Sequence, residues 1–523
     1  MGKTIVCLVG INFYSESPYM QFCSPALYYI KSTLMKYSPL NKEDVQILQF
    51  TNTMNAKIIA QNILNLNPEM IGFSVYIWNV DKIAEIAGII KKSSPHIKIF
   101  AGGQHISGTP KRFLEDNPDI DIVVFKDPEF TTLDLVNLHL KHKKNKDFTA
   151  KLQHIGGIAY RSKSIKINPR EDSDINKIPS PILNRDIFRE MIPKKDNISI
   201  VYETTRGCPF SCSYCPGGNE YIKEFGIKRI KAELNKLMSN KRISQIYFAD
   251  KNFLLNKKRA IAILDHIQKK NKDTLIHFEL NPSQINLGIG LKMQKIKNAS
   301  YEFGIQTLND SAIEQLNRKS IYRNLHEKLN IIKKISKKTR IRFNVKYGLP
   351  GDNYEDFKKT INKLISLNPS HIRTSRLLLL PGSDFYEKAK KYGIFLDKNP
   401  NLVSHTNTFS KSDMHKAQKL AFYLTLFYSN QILQYAIKLI SKIANPQNPD
   451  YVNTMIKYFD YLNRDKEITM GFDFEDLEES TPEMDKLKRY SWIISNIKRK
   501  KYKMALNSLL FFTKHISYQL FPY

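Results

Sequence analysis

An α/β architecture is expected from this sequence, with an N-terminal doubly wound domain, a partial (β/α)6 barrel and a mainly helical C-terminal region. Three observations predict it. Short apolar runs alternate with amphipathic ones five times in the first 140 residues. Six further alternations run from Ile198 to about Ile394. Beyond about Asn401 the strand-like runs fade and long helix-like segments take over. Repeated β-α alternation builds parallel sheets whose ligands lie at the carboxyl ends of the strands.

In the first series Thr4–Val9, Val45–Phe50, Met70–Ile77, Ile97–Ala101 and Ile122–Phe125 are compact apolar runs that read as strands. Pro25–Met35, Ala56–Leu66, Ile83–Lys92, Lys111–Asp116 and Thr131–Leu140 carry apolar residues at helical spacing. Together residues 1–150 form one Rossmann-like domain. The charged break Lys141–Asp147 precedes a short hairpin, HIGGIAYR and SIKINPR, and Pro179-Ser180-Pro181 forbids regular structure, so residues 151–195 read as hairpin and linker. Residues 196–400 hold the second series, with strands expected at Ile198–Thr204, Gln245–Ala249, Leu275–Leu280, Tyr301–Ile305, Ile341–Tyr347 and Arg373–Leu380. In residues 401–523 the segments Met414–Ile443 and Met484–Gln519 read as helices, separated by the acidic, turn-prone Phe472–Glu483.

Lys and Arg number 81 against 50 Asp and Glu, a net charge of +31, but the basic residues are spread along the whole chain, as a solvated surface requires, and a nucleic-acid partner is not needed to explain them. No uncharged run reaches 18 residues, so no membrane span is expected. The opening MGKTIVCLVGINFY reads straight into strand and turn without a small-residue cleavage site, and a cytoplasmic protein is the simplest reading. Five cysteines are too few for a disulfide framework, and three of them fall within eight positions.

Those three are Cys208, Cys212 and Cys215, in ETTRGCPFSCSYCPGG, directly after the first strand of the second series. A C-x3-C-x2-C loop can bind three irons of a cubane and leave the fourth open. Zinc would want a fourth ligand from a second pair or nearby histidines, and none is near in sequence. The spacing, the aromatic Tyr214 before the last cysteine and the flanking glycines resemble the loop of the radical S-adenosylmethionine (SAM) superfamily.

That resemblance implies a [4Fe–4S] cluster whose open iron chelates SAM, and one-electron cleavage of SAM to methionine and a 5′-deoxyadenosyl radical. It also implies SAM contacts in order along the later strand ends. These are Tyr214 in the loop, Asp250 in YFADKN, Glu279 in HFELNP, Gln306 in FGIQTLN and Arg318 in LNRKS. Arg318 would pair with the SAM carboxylate. Tyr347–Asp352 resembles the family's GLPG turn, and Leu380-Pro381-Gly382 repeats it.

A doubly wound domain ahead of such a core resembles the cobalamin-binding domain of the B12-dependent subclass. The matching runs are FSVYIWN (Phe73–Asn79), FAGGQHIS (Phe100–Ser107) and FKDPEF (Phe125–Phe130), the last standing where relatives carry a Gly-Glu-Gly-Glu-like turn. Cobalamin contacts are implied for Trp78, Gly102, Gly103 and Gln104, with the glycines letting backbone come close and Trp78 covering the lower cobalt face. The D-x-H-x-x-G motif that supplies a lower axial histidine elsewhere is absent, and the first histidine is His96. His105-x-x-Gly108 repeats half of that motif, but after the fourth strand.

The expected function is therefore that of a cobalamin-dependent radical SAM enzyme C-methylating an unactivated carbon of a small-molecule or peptide substrate, with flavodoxin or ferredoxin as electron donor. The same two domains also suit radical cyclisation or rearrangement. A methylthiotransferase fits less well, since only Cys7 and Cys23 precede Cys208, and a basic nucleic-acid-binding metal protein leaves the ordered strand-end residues unexplained.

Overall fold

The computed structural model describes residues 4–12, 24–142, 148–194, 196–397, 401–429 and 431–463. The chain divides into two compact units. The first comprises Met1–Leu280, Leu291–Ser300 and Leu379–Lys388, and the second Asn281–Gly290, Tyr301–Leu378 and Ala389–Tyr523. Among the described residues no helix is long and apolar enough to cross a membrane.

The first sheet is built from β1 (Val6–Asn12), β2 (Val45–Thr51), β3 (Met70–Ser74), β4 (Lys98–Gly102), β5 (Ile122–Val124), β6 (Ile158–Arg161) and β7 (Ile165–Asn168), in the order β2-β1-β3-β4-β5-β6-β7. The first five strands are parallel. The hairpin does not stand apart from them, because β6 pairs antiparallel with β5 and extends the sheet. Alternate residues of each strand feed opposite cores. Cys7, Val9, Ile11, Ile71, Phe73, Ile99 and Ala101 pack with the helices Ala56–Leu64, Val80–Ser93 and Pro110–Asp116, while Val6, Leu8, Met70, Phe100 and Ile122 pack with Pro25–Tyr37 and Pro128–His142. Each such Val, Leu, Ile, Phe or Met side chain contributes about 1.5–3 kcal/mol by leaving water. The strand order reverses between β1 and β3, which makes the carboxyl ends of those strands the natural ligand crevice.

The second sheet contains β8 (Ile198–Tyr202), β11 (Ile243–Phe248), β12 (Leu275–Leu280), β13 (Ala299–Gln306), β14 (Arg340–Tyr347) and β15 (His371–Arg376), in the order β15-β14-β13-β12-β11-β8. Sequential neighbours throughout make it a half-barrel. The pairs β8–β11, β11–β12 and β14–β15 are parallel. Two short strands after β8, β9 (Thr205–Arg206) and β10 (Lys223–Glu224), pair antiparallel and close a loop between them. A small hairpin, β16 (Ile394–Leu396) with β17 (Val403–Thr406), follows the half-barrel. The expected helix Met414–Ile443 is two, Lys411–Ser429 and Gln431–Ala444, and Tyr451–Asn463 comes after them. Phe472–Glu483 and Met484–Gln519 lie outside the described residues.

Candidate active site

The loop held between β9 and β10 carries Cys208, Cys212 and Cys215, none of them in a disulfide and all partly exposed. Gly207 makes its entry possible. It has φ +90°, and a Cβ there would lie 2.2 Å from the carbonyl of Tyr221. Backbone bonds then fold the loop onto itself, with Glu220 N–H donating to Cys208 O (2.8 Å), Asn219 N–H to Phe210 O (2.9 Å) and Cys215 N–H to Cys212 O (3.0 Å). Burial raises the Cys208 thiol pKa, against a hydrogen bond with the Phe210 backbone that lowers it, and the nearby Cys212 and Cys215 add to the rise. Among the described residues no three His, Cys, Asp or Glu side chains converge as ligands of a single ion. A set of three thiols spread round a loop suits three separate irons of one cluster. Cys7 is unlike them, being fully buried in β1 with its thiol pKa pushed up to about 12 by burial.

Asp250, just past β11, is fully buried and its carboxylate is already engaged. It accepts from the backbone N–H of Thr204 (2.7 Å) and Thr205 (2.9 Å) and from the Thr204 hydroxyl. Arg259 donates to the carbonyl of Thr204 at 2.7 Å and to its hydroxyl at 3.1 Å. Burial raises the Asp250 pKa against these hydrogen bonds. Asp250 therefore fixes the turn from which the cysteine loop starts. Its neighbour Lys251 donates to the carbonyl of Gly217 at 2.7 Å, securing the far end of the loop.

Glu279 ends β12 half-buried and accepts from the hydroxyl of Tyr247, whose ring stacks on His277 at 4.7 Å. Tyr214 is half-buried within the loop. Asn252 was not expected from the sequence. It is only 6% exposed, and neither its Oδ1 nor its Nδ2 has a partner among the protein's own atoms. A buried amide unpaired at both ends is costly unless a ligand or water meets it. The signal in the sequence was its place two residues beyond Asp250, but nothing there separates Asn252 from a turn former.

At the carboxyl edge of the first sheet Trp78 is 43% exposed, stacks on Tyr76 (4.5 Å, 4°) and donates to the carbonyl of Ile11 in β1. Asn79, buried beneath it, donates to Ile11 O (2.9 Å) and Ser74 O (3.1 Å) and accepts from Tyr76 N–H, so it ties the ends of β1 and β3 together. Gly103 has φ +135°, and a Cβ there would lie 2.2 Å from Val75 O, while one on Gly102 would be 3.1 Å from Val124 O. Gln104 is exposed, and its Nε2 is 3.6 Å from where a Cβ of Gly217 would be, so the turn after β4 reaches the cysteine loop. His105 Nδ1 is buried without a protein partner, and burial lowers its pKa. An aromatic rim, glycine backbone and an unpaired buried nitrogen at a switch point fit a large, partly polar cofactor.

In the second unit Arg318 is buried and donates to the carbonyl of Gly304 at 2.8 Å, with its guanidinium over the ring of Tyr322. Gln306, two residues further along β13, has φ +67° and a buried Oε1 without a protein partner. The structure thus brings Gln306 and Arg318 together at the end of β13. Thr307 follows, donating to Asp352 at 3.0 Å. The GLPG turn is formed by Gly348 and Gly351, both left-handed at φ +77° and +80°.

Comparison with known proteins finds two matching families. Residues 24–135 match the B12 binding domain family, and residues 202–364 match the radical SAM superfamily. An uncharacterized methyltransferase of Pyrococcus horikoshii is 24% identical over 364 residues, 68% of this chain and 77% of its own length. The cobalamin-dependent radical SAM methyltransferase TokK of Streptomyces tokunonensis is 21% identical over 361 residues, 63% of this chain and half of its own. Among solved structures, the cobalamin-dependent SAM radical enzyme OxsB with aqua-cobalamin bound shares the fold at TM-score 0.61 and 15% identity, over 98% of this chain and 81% of that one.

Proposed function

We propose that this chain, whose segments match the B12 binding domain family and the radical SAM superfamily, is a cobalamin-dependent radical SAM enzyme that C-methylates an unactivated carbon of a small-molecule or peptide substrate. The observation that carries this reading is the approach of Gln104, from the turn after β4, to Gly217 at the end of the cysteine loop. It supports a reading in which the turn after β4 and the cysteine loop serve one reaction.

When bound, the cluster supplies the electron that cleaves SAM and cobalamin supplies the methyl group. Cys208, Cys212 and Cys215 hold the three ligated irons. Asp250 and Lys251 fix the two ends of their loop. Tyr214, Glu279, the unpaired amide of Asn252, Gln306 and Arg318 would contact SAM, Arg318 through the carboxylate. Trp78, Gly102, Gly103 and Gln104 hold the cobalamin. Flavodoxin or ferredoxin delivers the electron, in the cytoplasm.

Protein reconstituted anaerobically with iron, sulfide and cobalamin tests the reading. Given SAM and a strong reductant, it should retain one cobalamin per chain and release 5′-deoxyadenosine, and the Cys212→Ala variant should release none. SAM labelled in its methyl group should pass the label to substrate. A protein that keeps its cluster and binds no cobalamin would sink the methyl-transfer reading while leaving SAM cleavage in place.

A further inference from the structure

The turn Phe125–Phe130 after β5 carries two acidic residues, Asp127 and Glu129. Glu129, 1% exposed in the first turn of the helix Pro128–His142, receives both terminal nitrogens of Arg206, at 2.7 and 3.0 Å. Arg206 also donates through Nε to Glu203 at 2.9 Å, and its guanidinium lies 5.7 Å from the ring of Tyr29 and 5.9 Å from that of Phe225. Two residues before Glu129, Asp127 pairs with Lys223 at 3.2 Å. Arg206 and Lys223 are direct partners across β9 and β10, the two strands that close the cysteine loop. Lys223 is held more closely by Asp172, beyond β7, at 2.7 Å, so the turn holds Arg206 through Glu129 and shares Lys223 with Asp172.

Arg206 stands two residues before Cys208. A bidentate, buried guanidinium–carboxylate pair fixes distance and plane together, which a single hydrogen bond does not. The turn bearing the acids sits at the carboxyl edge of the first sheet, the edge where its ligand belongs. Whatever orders that edge also orders the base of the cysteine loop.

Resting on the reading of the two domains given above, we infer that Asp127 and Glu129 with Arg206 and Lys223 form a clasp through which the cobalamin-binding domain positions the cluster loop. These four are positioning residues. Through them, cobalamin binding alters the environment of the cluster, and the coupling is reciprocal.

The test uses full-length protein reconstituted with cluster, with and without cobalamin, and reads the midpoint potential and the electron paramagnetic resonance signal of the reduced cluster. In the wild type, cobalamin should shift both. In Glu129→Gln and Arg206→Lys the iron content should stay at the wild-type level while the cobalamin-dependent shift falls by more than half. Lys223→Gln, at the arm with the longer contact, serves as the milder variant, expected to lose a smaller part of the shift should either of the others fail to fold. An undiminished shift in the folded variants overturns the clasp, as does a wild type that binds both cofactors and shows no shift. A wild type that takes up no cluster or no cobalamin instead overturns the functional reading on which the clasp rests.

Discussion

The backbone N–H of Phe385 donates to the carbonyl of Ser213 at 2.8 Å, so a segment 172 positions further along the chain holds the middle of the cysteine loop. That segment follows Leu380-Pro381-Gly382. Gly382 has φ +83°, and a Cβ on it would lie 2.9 Å from the Cα of Gly108. Backbone meets backbone there, and neither side has a flexible end to move away.

Gly382→Ala should therefore both strain the turn and displace the support of Ser213. A left-handed alanine costs about 1–2 kcal/mol before the clash is counted. Denaturant unfolding should show at least that loss, and iron bound per chain after reconstitution should drop. Normal stability together with full iron loading would show that the turn yields without disturbing the loop.

Asn252→Ala should separate folding from binding. Removing a buried amide that has no protein partner should leave the melting temperature of the ligand-free protein unchanged or raise it. SAM should bind more weakly, by about 1–3 kcal/mol, through loss of the hydrogen bonds made to it. Calorimetry and thermal melting on the same preparations check this. A destabilised variant with an unchanged SAM dissociation constant would reassign Asn252 to the fold.

Arg318→Ala tests the proposed contact with the SAM carboxylate. Loss of a charge-assisted hydrogen bond to a carboxylate should weaken SAM binding by about 1.5–3 kcal/mol and leave cluster assembly intact, because Arg318 is proposed to pair with a carboxylate and not with iron. The bond to Gly304 O adds a cost to stability of about 1 kcal/mol, seen in unfolding experiments. An unchanged SAM affinity would remove Arg318 from the SAM site.

Asp352 gives a pH prediction. Burial pushes its carboxyl pKa up to about 6 from 3.8, despite hydrogen bonds from Asn353 and Thr307 that favour ionisation. Between those two values the folded protein holds more proton at this site than the unfolded one, so stability falls as pH rises from about 4 to about 6. Asp352→Asn keeps an acceptor for both donors and removes the ionisation. The stability of the variant relative to wild type should rise across that window, by up to about 3 kcal/mol. A difference independent of pH would mean that the carboxyl titrates at its ordinary value.

What the sequence disclosed follows the range of the interactions. The strands could be read because alternating burial is written into neighbouring residues, as in β14, where Ile341, Phe343, Val345 and Tyr347 are buried in turn. The cysteine loop was visible because its three thiols fall within eight positions. Ends were read less well. Met70–Ile77 reads as a strand throughout, but β3 stops at Ser74, because Asn79 captures the N–H of Tyr76 and turns the chain. The sequence could not disclose partners distant along the chain. Glu129 and Arg206 are 77 residues apart, and only the fold makes the acidic turn and the basic hairpin complementary. Asn252 escaped for a different reason, since an unsatisfied amide is defined by what surrounds it.

The burial of Cys7 bears on how the protein can be handled in the laboratory. With its thiol protonated and shielded inside the first sheet, it is closed to alkylating reagents and to free iron while the domain stays folded. Among the described cysteines, the folded protein should therefore present only the three loop thiols to a maleimide, and cluster assembly should hide those three together. Mass spectrometry after a brief alkylation pulse would then report cluster occupancy molecule by molecule, with Cys7 as an internal gauge of unfolding.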